Sequence, residues 1–287
     1  MKIGVSSYSF SAYRKRTGAG YIEICDMAKE IGFDAIEFIG LCRDGDCTRE
    51  WKMETAKAIR EHCEKIGLEI PAYTVGADLV GEGADEAVSE LLFCLEITKA
   101  LGAAVMRHDI AFKLPEGMTY KDAIAVALPR IRKVADRAAE LGITTCLENH
   151  GVIFQAPERV EELILAVDRK NFGWLCDVGN FLCDDCEPLA STEIAAKYTV
   201  HAHAKDFLKK SPEDKARAGF NIGTSGGAAL RGTVVGHGVV PVAECLGALK
   251  RGGYDGCVSL EFEGPEEPEY ALRKGYENLK EMIDSLA

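Results

Sequence analysis

Apolar residues recur along the chain in two alternating rhythms. Short strand-like runs lie at "KIGVSS" (2–7), "DAIEF" (34–38), "LEIPAY" (68–73), "AAVMRH" (103–108), "ITTCLE" (143–148), "FGWLCD" (172–177), "TVHAHAK" (199–205) and "GCVSLEF" (256–262). Between them, stretches such as "YIEICDMAKEIG", "TREWKMETAKAIREHCEKIG", "DEAVSELLFCLEITKALG" and "YKDAIAVALPRIRKVADRAAELG" carry apolar residues at spacings of three and four, the stripe that an amphipathic helix buries. Four of these helices stop at Gly32, Gly67, Gly102 and Gly142, where glycine supplies the left-handed cap before the next strand. Strict alternation of strand and helix implies parallel pairing through right-handed crossovers, and eight such units close a barrel. The expected fold is α/β, a (β/α)8 TIM barrel forming one domain over residues 1–287. The rival is an open doubly wound sheet, which usually carries a glycine-rich phosphate turn after its first strand; "SSYSFSAYRKRTG" is no such turn.

Composition adds exclusions. Hydrophobic residues at 47% and charged residues at 28% suit a soluble globular chain. No apolar run approaches the roughly 18 residues that a bilayer span needs, and the first ten residues lack the apolar core of a signal peptide. No membrane partner is expected, and the expected location is the cytoplasm. A net charge of -12 repels phosphate backbones, so no nucleic-acid partner is expected either. Of eleven cysteines, Cys25, Cys63, Cys94, Cys245 and Cys257 fall in apolar helices and strands, as small buried hydrophobes of a reducing compartment do. Cys183 and Cys186 in "CDDC" have half of a zinc-site spacing, but no second pair lies nearby, and they read as two loop thiols. The longest connection, 209–241, is expected to lie over the C-terminal face of the strands. There Arg231 and His237 are candidates to touch the far end of a ligand; a disordered or partner-binding loop is equally compatible.

A barrel builds its site from the C-terminal strand ends. Those ends carry Glu37, Tyr73, His108, Glu148, Asp177, His203 and Glu261, and each polar group costs free energy if buried without a partner. Glu148, Asp177, His203 and Glu261 come from strands five to eight. Three carboxylates and one imidazole suit a hard to borderline divalent ion, Mn²⁺ first, with Co²⁺, Mg²⁺, Zn²⁺ or Fe²⁺ admitted. In "DVGNF" the glycine lets the loop turn tightly so that Asn180 reaches the pocket. In "VHAHAKDF" a period of two places His201, His203 and Lys205 on one side of the strand. In "CLENHG" the same period places His150 beside Glu148 as a candidate acid or base; alternatively, Asn149 and His150 only hydrogen-bond the loop.

These segments together, "GFDAIEF", "LENHG", "CDVGNF", "HAHAKDF" and "SLEFEG", resemble the sugar phosphate isomerase/epimerase family, the xylose isomerase-like barrels, in the same order over nearly the whole chain. The resemblance implies that Glu148, Asp177, His203 and Glu261 hold one divalent metal and that Glu37, His108, His150 and Lys205 line a substrate pocket. Endonuclease IV and the ketose 3-epimerases of this scaffold carry histidine where this chain has Asn180, which separates it from abasic-site repair and from direct epimerisation of a free ketose. The expected activity is a metal-dependent isomerase or epimerase acting on a small sugar or polyol through an enediolate. Glu148 and Glu261 would exchange the proton next to a carbonyl. A group able to leave from the neighbouring carbon would turn the same chemistry into that of a dehydratase or lyase, with His150 as base or acid. A non-catalytic barrel in a hetero-complex is the remaining alternative, and a homo-oligomer is compatible with all three.

Overall fold

The computed structural model describes residues 1–42, 47–214 and 218–286. In chain order it runs β1 (Lys2–Ser6), α1 (Ser11–Thr17), α2 (Tyr21–Ile31), β2 (Ala35–Ile39), α3 (Arg49–Ile66), β3 (Ala72–Val75), α4 (Ala84–Leu101), β4 (Val105–His108), α5 (Tyr120–Leu141) and β5 (Thr144–Glu148). It continues with α6 (Pro157–Val167), β6 (Phe172–Asp177), α7 (Pro188–Ala195), β7 (Thr199–Ala204), β8 (Asp206–Lys210), β9 (Ile222–Gly223), β10 (Ala229–Thr233), α8 (Val242–Arg251), β11 (Cys257–Leu260) and α9 (Pro268–Asp284). Eight of the strands form a closed barrel in the order β1-β11-β7-β6-β5-β4-β3-β2, with every pairing parallel. This is the (β/α)8 barrel that the alternating pattern predicts. Gly32, Gly67, Gly102 and Gly142 cap α2, α3, α4 and α5 with φ of 116, 65, 76 and 74°, a conformation that costs glycine no Cβ clash.

The third strand departs from the sequence reading. Expected over 68–73, it begins only at Ala72, after Pro71, because proline has no N–H to give to a ladder. Ahead of it, the carbonyl of Glu69 accepts from Ile36 as an isolated bridge. The shift carries Tyr73 to the outer face, where its hydroxyl accepts the backbone N–H of Leu41 at 3.1 Å. The 209–241 connection also differs from a plain loop. β8, β10 and β9 pair antiparallel into a three-stranded extension standing on the end of β7.

Apolar side chains such as Val5, Phe38, Leu147, Trp174, Ala202 and Leu260 are buried on the outer face of the barrel, under the helices. The inner face is polar: Ser6, Glu37, Thr74, Arg107, Glu148, Asp177, His201, His203, Ser259 and Glu261 are all buried. Cys42 and Cys47 form a disulfide that the reading of a reduced chain does not anticipate. Cys183 and Cys186 are half-buried free thiols, as expected of loop residues. Among the described residues, no helix is long and apolar enough to cross a membrane.

Candidate metal centre at the strand ends

Parallel register brings the last inward residues of neighbouring strands level: Asp177 of β6 stands opposite His203 of β7, which stands opposite Ser259 of β11. One residue beyond β11 comes Glu261, whose N–H donates to Ala204. Glu148 closes the group from the end of β5. One ligand atom from each of Glu148, Asp177, His203 and Glu261 lies within 4.8 Å of the others, and all four residues are buried. Nδ1 of His203 points among the carboxylates, 3.7 Å from Glu148 Oε1, 3.8 Å from Asp177 Oδ2 and 3.7 Å from Glu261 Oε2.

Two features test whether these residues fit a cation. Nδ1 of His203 and Oδ2 of Asp177 are buried without a hydrogen-bond partner, a cost of several kcal/mol for ionised groups unless something compensates it. Beyond that, five buried carboxylates, Glu37, Asp109, Glu148, Asp177 and Glu261, face two permanent cations among the described residues, Arg107 and Lys205. The donors and the excess of negative charge both fit one divalent ion. The other oxygen of Asp177, Oδ1, accepts the N–H groups of Gly179 and Asn180 at 2.8 and 3.0 Å, which fixes the carboxylate and aims Oδ2 inward. Gly179 is required there, because a Cβ would stand 2.6 Å from the carbonyl oxygen of Lys205.

The remaining sequence candidates divide by position. Lys205 enters the site, with its ammonium 2.5 Å from Glu261 Oε2 and 3.4 Å from Asp177 Oδ2. Burial works against that charge, but Glu261, Asp177 and Glu263 hold its pKa well above the usual lysine range. Asn180 donates to Glu148 Oε1 at 3.1 Å and accepts from Lys205 at 3.3 Å. His150 lies at the mouth, with Nδ1 3.4 Å from Asp109 Oδ1. Burial lowers its pKa, yet the Asp109 contact and the charge of Glu148 raise it overall. Asn149 faces the other way and staples the strand ends together. Its amide donates to the Asp177 carbonyl at 2.8 Å, and its oxygen accepts Trp174 Nε1–H and Asp177 N–H, both at 3.0 Å. In "ENH" the Asn149 side chain thus ties β5 to β6, while His150 pairs with Phe154 of the loop through its backbone and borders the pocket with its ring.

Four candidates are placed elsewhere. Glu37 lies fully buried one layer below the four ligands, its Oε1 2.7 Å from Nε2 of His203. Its Oε2 contacts His201 and accepts from Ser259 Oγ at 3.1 Å, so it braces the histidines, and it is absent from the lining of the pocket above them. Burial pushes its carboxyl up, but His203 and His201 hold it below the usual range. His108 falls on the outer face of β4, against Phe172 and bonded to the Asp109 carbonyl at 3.0 Å, because strand alternation turns its neighbour Arg107 inward. Arg231 packs over the Phe220 ring, and His237 is exposed on a turn whose Gly236 rests against Asn278 and Met282 of α9. Neither lines the pocket.

Sequence reasoning missed Arg107, Asp109 and Glu263. Arg107 Nη2 lies 2.7 Å from Glu148 Oε2 and 2.9 Å from Asp109 Oδ1. That guanidinium and His203 hold Glu148 well below the usual carboxylate range against burial. Glu263 borders the pocket two residues beyond Glu261, and the period of two was the signal that would have found it. The pocket over the four ligands has a volume of about 280 Å³ and is lined by these groups with Tyr8, Thr74 and Phe112. A more open groove of about 760 Å³ between α4 and α5, lined by Leu92, Pro129 and paired surface charges, contains none of the strand-end groups.

Comparison with known proteins gives one family. The sequence profile described as "Xylose isomerase-like TIM barrel" matches residues 25–282. An inosose dehydratase of Lacticaseibacillus casei is 26% identical over 152 residues, 50% of this chain and 49% of that protein, so the match spans about half the length of the curated relative. Among solved structures, the IOLI protein with a binding zinc atom superposes with a TM-score of 0.76 at 17% identity, covering 100% of this chain and 99% of that one. A D-tagatose 3-epimerase-like protein superposes with a TM-score of 0.74 at 22% identity, covering 100% and 98%.

Proposed function

The chain belongs to the xylose isomerase-like TIM barrel family, and from that premise we propose that it is a divalent-metal-dependent enzyme, an isomerase or epimerase, that moves a proton next to the carbonyl of a small sugar or polyol. The observation that carries this reading is the convergence of Glu148, Asp177, His203 and Glu261, with Nδ1 of His203 and Oδ2 of Asp177 buried and making no hydrogen bond, the latter beside the Lys205 ammonium. These four residues would hold the ion, with Mn²⁺ suiting three carboxylates and one imidazole. When bound, such an ion supplies Lewis-acid stabilisation of the negative charge that develops on a carbonyl oxygen as the adjacent carbon loses its proton.

The chain's own groups do the rest. Arg107 and Lys205 fix Glu148 and Glu261 from opposite sides of the ligand cluster, each by an ion pair. Glu148 and Glu261 are then the pair between which a proton leaves one carbon and returns to it or to its neighbour. Phe112, half exposed at the mouth, packs edge-on to the His150 ring at 6.0 Å.

β-Elimination is a second reading, and His150 favours it. His150 is the imidazole at the mouth that lies outside the ligand cluster, and its Nδ1 is 3.4 Å from Asp109 Oδ1, which orients it. The similarity to an inosose dehydratase supports the same direction. The two readings separate in D₂O, with Mn²⁺-loaded enzyme and a panel of ketoses and inososes followed by mass spectrometry. Isomerisation or epimerisation predicts solvent deuterium in a product isomeric with the substrate. Elimination predicts a product lighter by one water, formed by the native chain and lost in His150→Asn. Absence of either product across the panel, with the metal bound, contradicts the proposal.

A further inference from the structure

Lys205 has a fixed backbone and a long side chain. It stands between the last residue of β7 and the first of β8. On one side the Ala204 carbonyl accepts from Glu261 N–H at 3.0 Å. On the other, the Asp206 carboxylate accepts the N–H groups of Phe207, Gly236, Gly238 and Val240 at 2.7 to 3.1 Å. The carbonyl of Lys205 itself is pressed against Gly179. What is left free to move is a flexible four-carbon stem that carries a compact charge with three donors.

Among the described residues, that ammonium has four oxygen partners: Glu261 Oε2 at 2.5 Å, Asn180 Oδ1 at 3.3 Å, Asp177 Oδ2 at 3.4 Å and Glu263 Oε1 at 3.6 Å. Two of these oxygens belong to the ligand cluster, for Asp177 Oδ2 and Glu261 Oε2 also face Nδ1 of His203, at 3.8 and 3.7 Å. Glu263 stands outside the cluster and is the more open carboxylate, with 21% of its side chain exposed against none for Asp177. Asn180 is held by its amide on Glu148, so its oxygen can serve the ammonium from either side. A divalent ion and an ammonium sharing Asp177 Oδ2 would repel each other in a buried site of low dielectric. We infer that Lys205 is an internal competitor for the metal site, one that yields Asp177 Oδ2 to the ion by swinging its ammonium toward Glu263 while it keeps Asn180. The inference rests on the proposed function and deepens it. Lys205 and Glu263 together then set how tightly the four ligands hold their ion.

The test is a double-mutant cycle on the full chain, stripped of metal and titrated with Mn²⁺ by calorimetry at one pH. It compares the native chain, Lys205→Met, Glu263→Gln and the double variant, with circular dichroism to confirm the fold and Lys205→Gln as a second neutral replacement. Lys205→Met is expected to bind Mn²⁺ at least about tenfold more tightly, the scale on which groups behind metal ligands act. Glu263→Gln removes the alternative partner of the ammonium and is expected to bind at least about threefold more weakly. In the Lys205→Met background, the same Glu263→Gln change should have no effect. That coupling separates a partner of the lysine from a bare attraction, since a carboxylate acting only by its charge on the ion would weaken binding equally in both backgrounds. Unchanged or weaker binding in both folded Lys205 variants, or an equal effect of Glu263→Gln with and without the lysine, would overturn the inference and leave the metal centre standing. No Mn²⁺ binding by any of the chains would overturn it together with the metal-dependent reading.

Discussion

Glu37 sits one layer beneath the ligands, 2.7 Å from Nε2 of His203, and there it can hold the imidazole in the tautomer that leaves Nδ1 free for a cation. Replacing it, as Glu37→Gln, is expected to leave the barrel folded and to weaken Mn²⁺ binding about 10- to 100-fold by titration calorimetry; an unchanged affinity would deny it that role. His203 also sets a pH dependence. Burial opposes its charged form, but Glu37, Glu261, Asp177 and Glu148 raise its pKa well above 6.5. A cation entering among the carboxylates displaces that proton, so Mn²⁺ affinity should climb by up to about tenfold per pH unit until the raised pKa is passed. Calorimetry in buffers of different ionisation enthalpy reads the released proton directly, and affinity flat from pH 6 to 8 would contradict it. At this scale the sequence was legible where strand end and inward face coincide, as at Glu148 and Asp177. It was not legible at "RH", where nothing local says which of Arg107 and His108 faces the barrel axis.

Among the elements, the β6 turn depends on the close approach of two backbones. Gly179 fits because a Cβ would lie 2.6 Å from the Lys205 carbonyl oxygen, and Asp177 is aimed by the N–H groups that follow it. Gly179→Ala is therefore expected to cost roughly 1–3 kcal/mol of stability and to lower metal affinity as well, measured by denaturant unfolding and metal titration. A variant that matches the native chain in both would show that the turn has room to spare. The helices were readable because their stripes and glycine caps are local signals. β3 was misplaced because Pro71 sits inside an apolar run, and the extension over 206–233 was hidden because its strands are short and its glycines imitate a loop.

Across the whole molecule, barrel closure is what gathers the site, for β5, β6, β7 and β11 are adjacent in the sheet although Glu148 and Glu261 are far apart in sequence. The alternation of strands and helices was enough to foresee that gathering, since closed parallel barrels present their strand ends on one face. The second layer, in which Glu37, Arg107 and Asn149 brace the ligands, depends on facing and depth that only the folded barrel supplies. The most direct measurement is the metal content of protein purified without added metal, set beside that of a Glu148→Gln, Asp177→Asn double variant. The account predicts about one equivalent of a divalent transition metal in the native chain and its loss in the variant. No metal in either, with no rise in melting temperature on adding Mn²⁺, would contradict it.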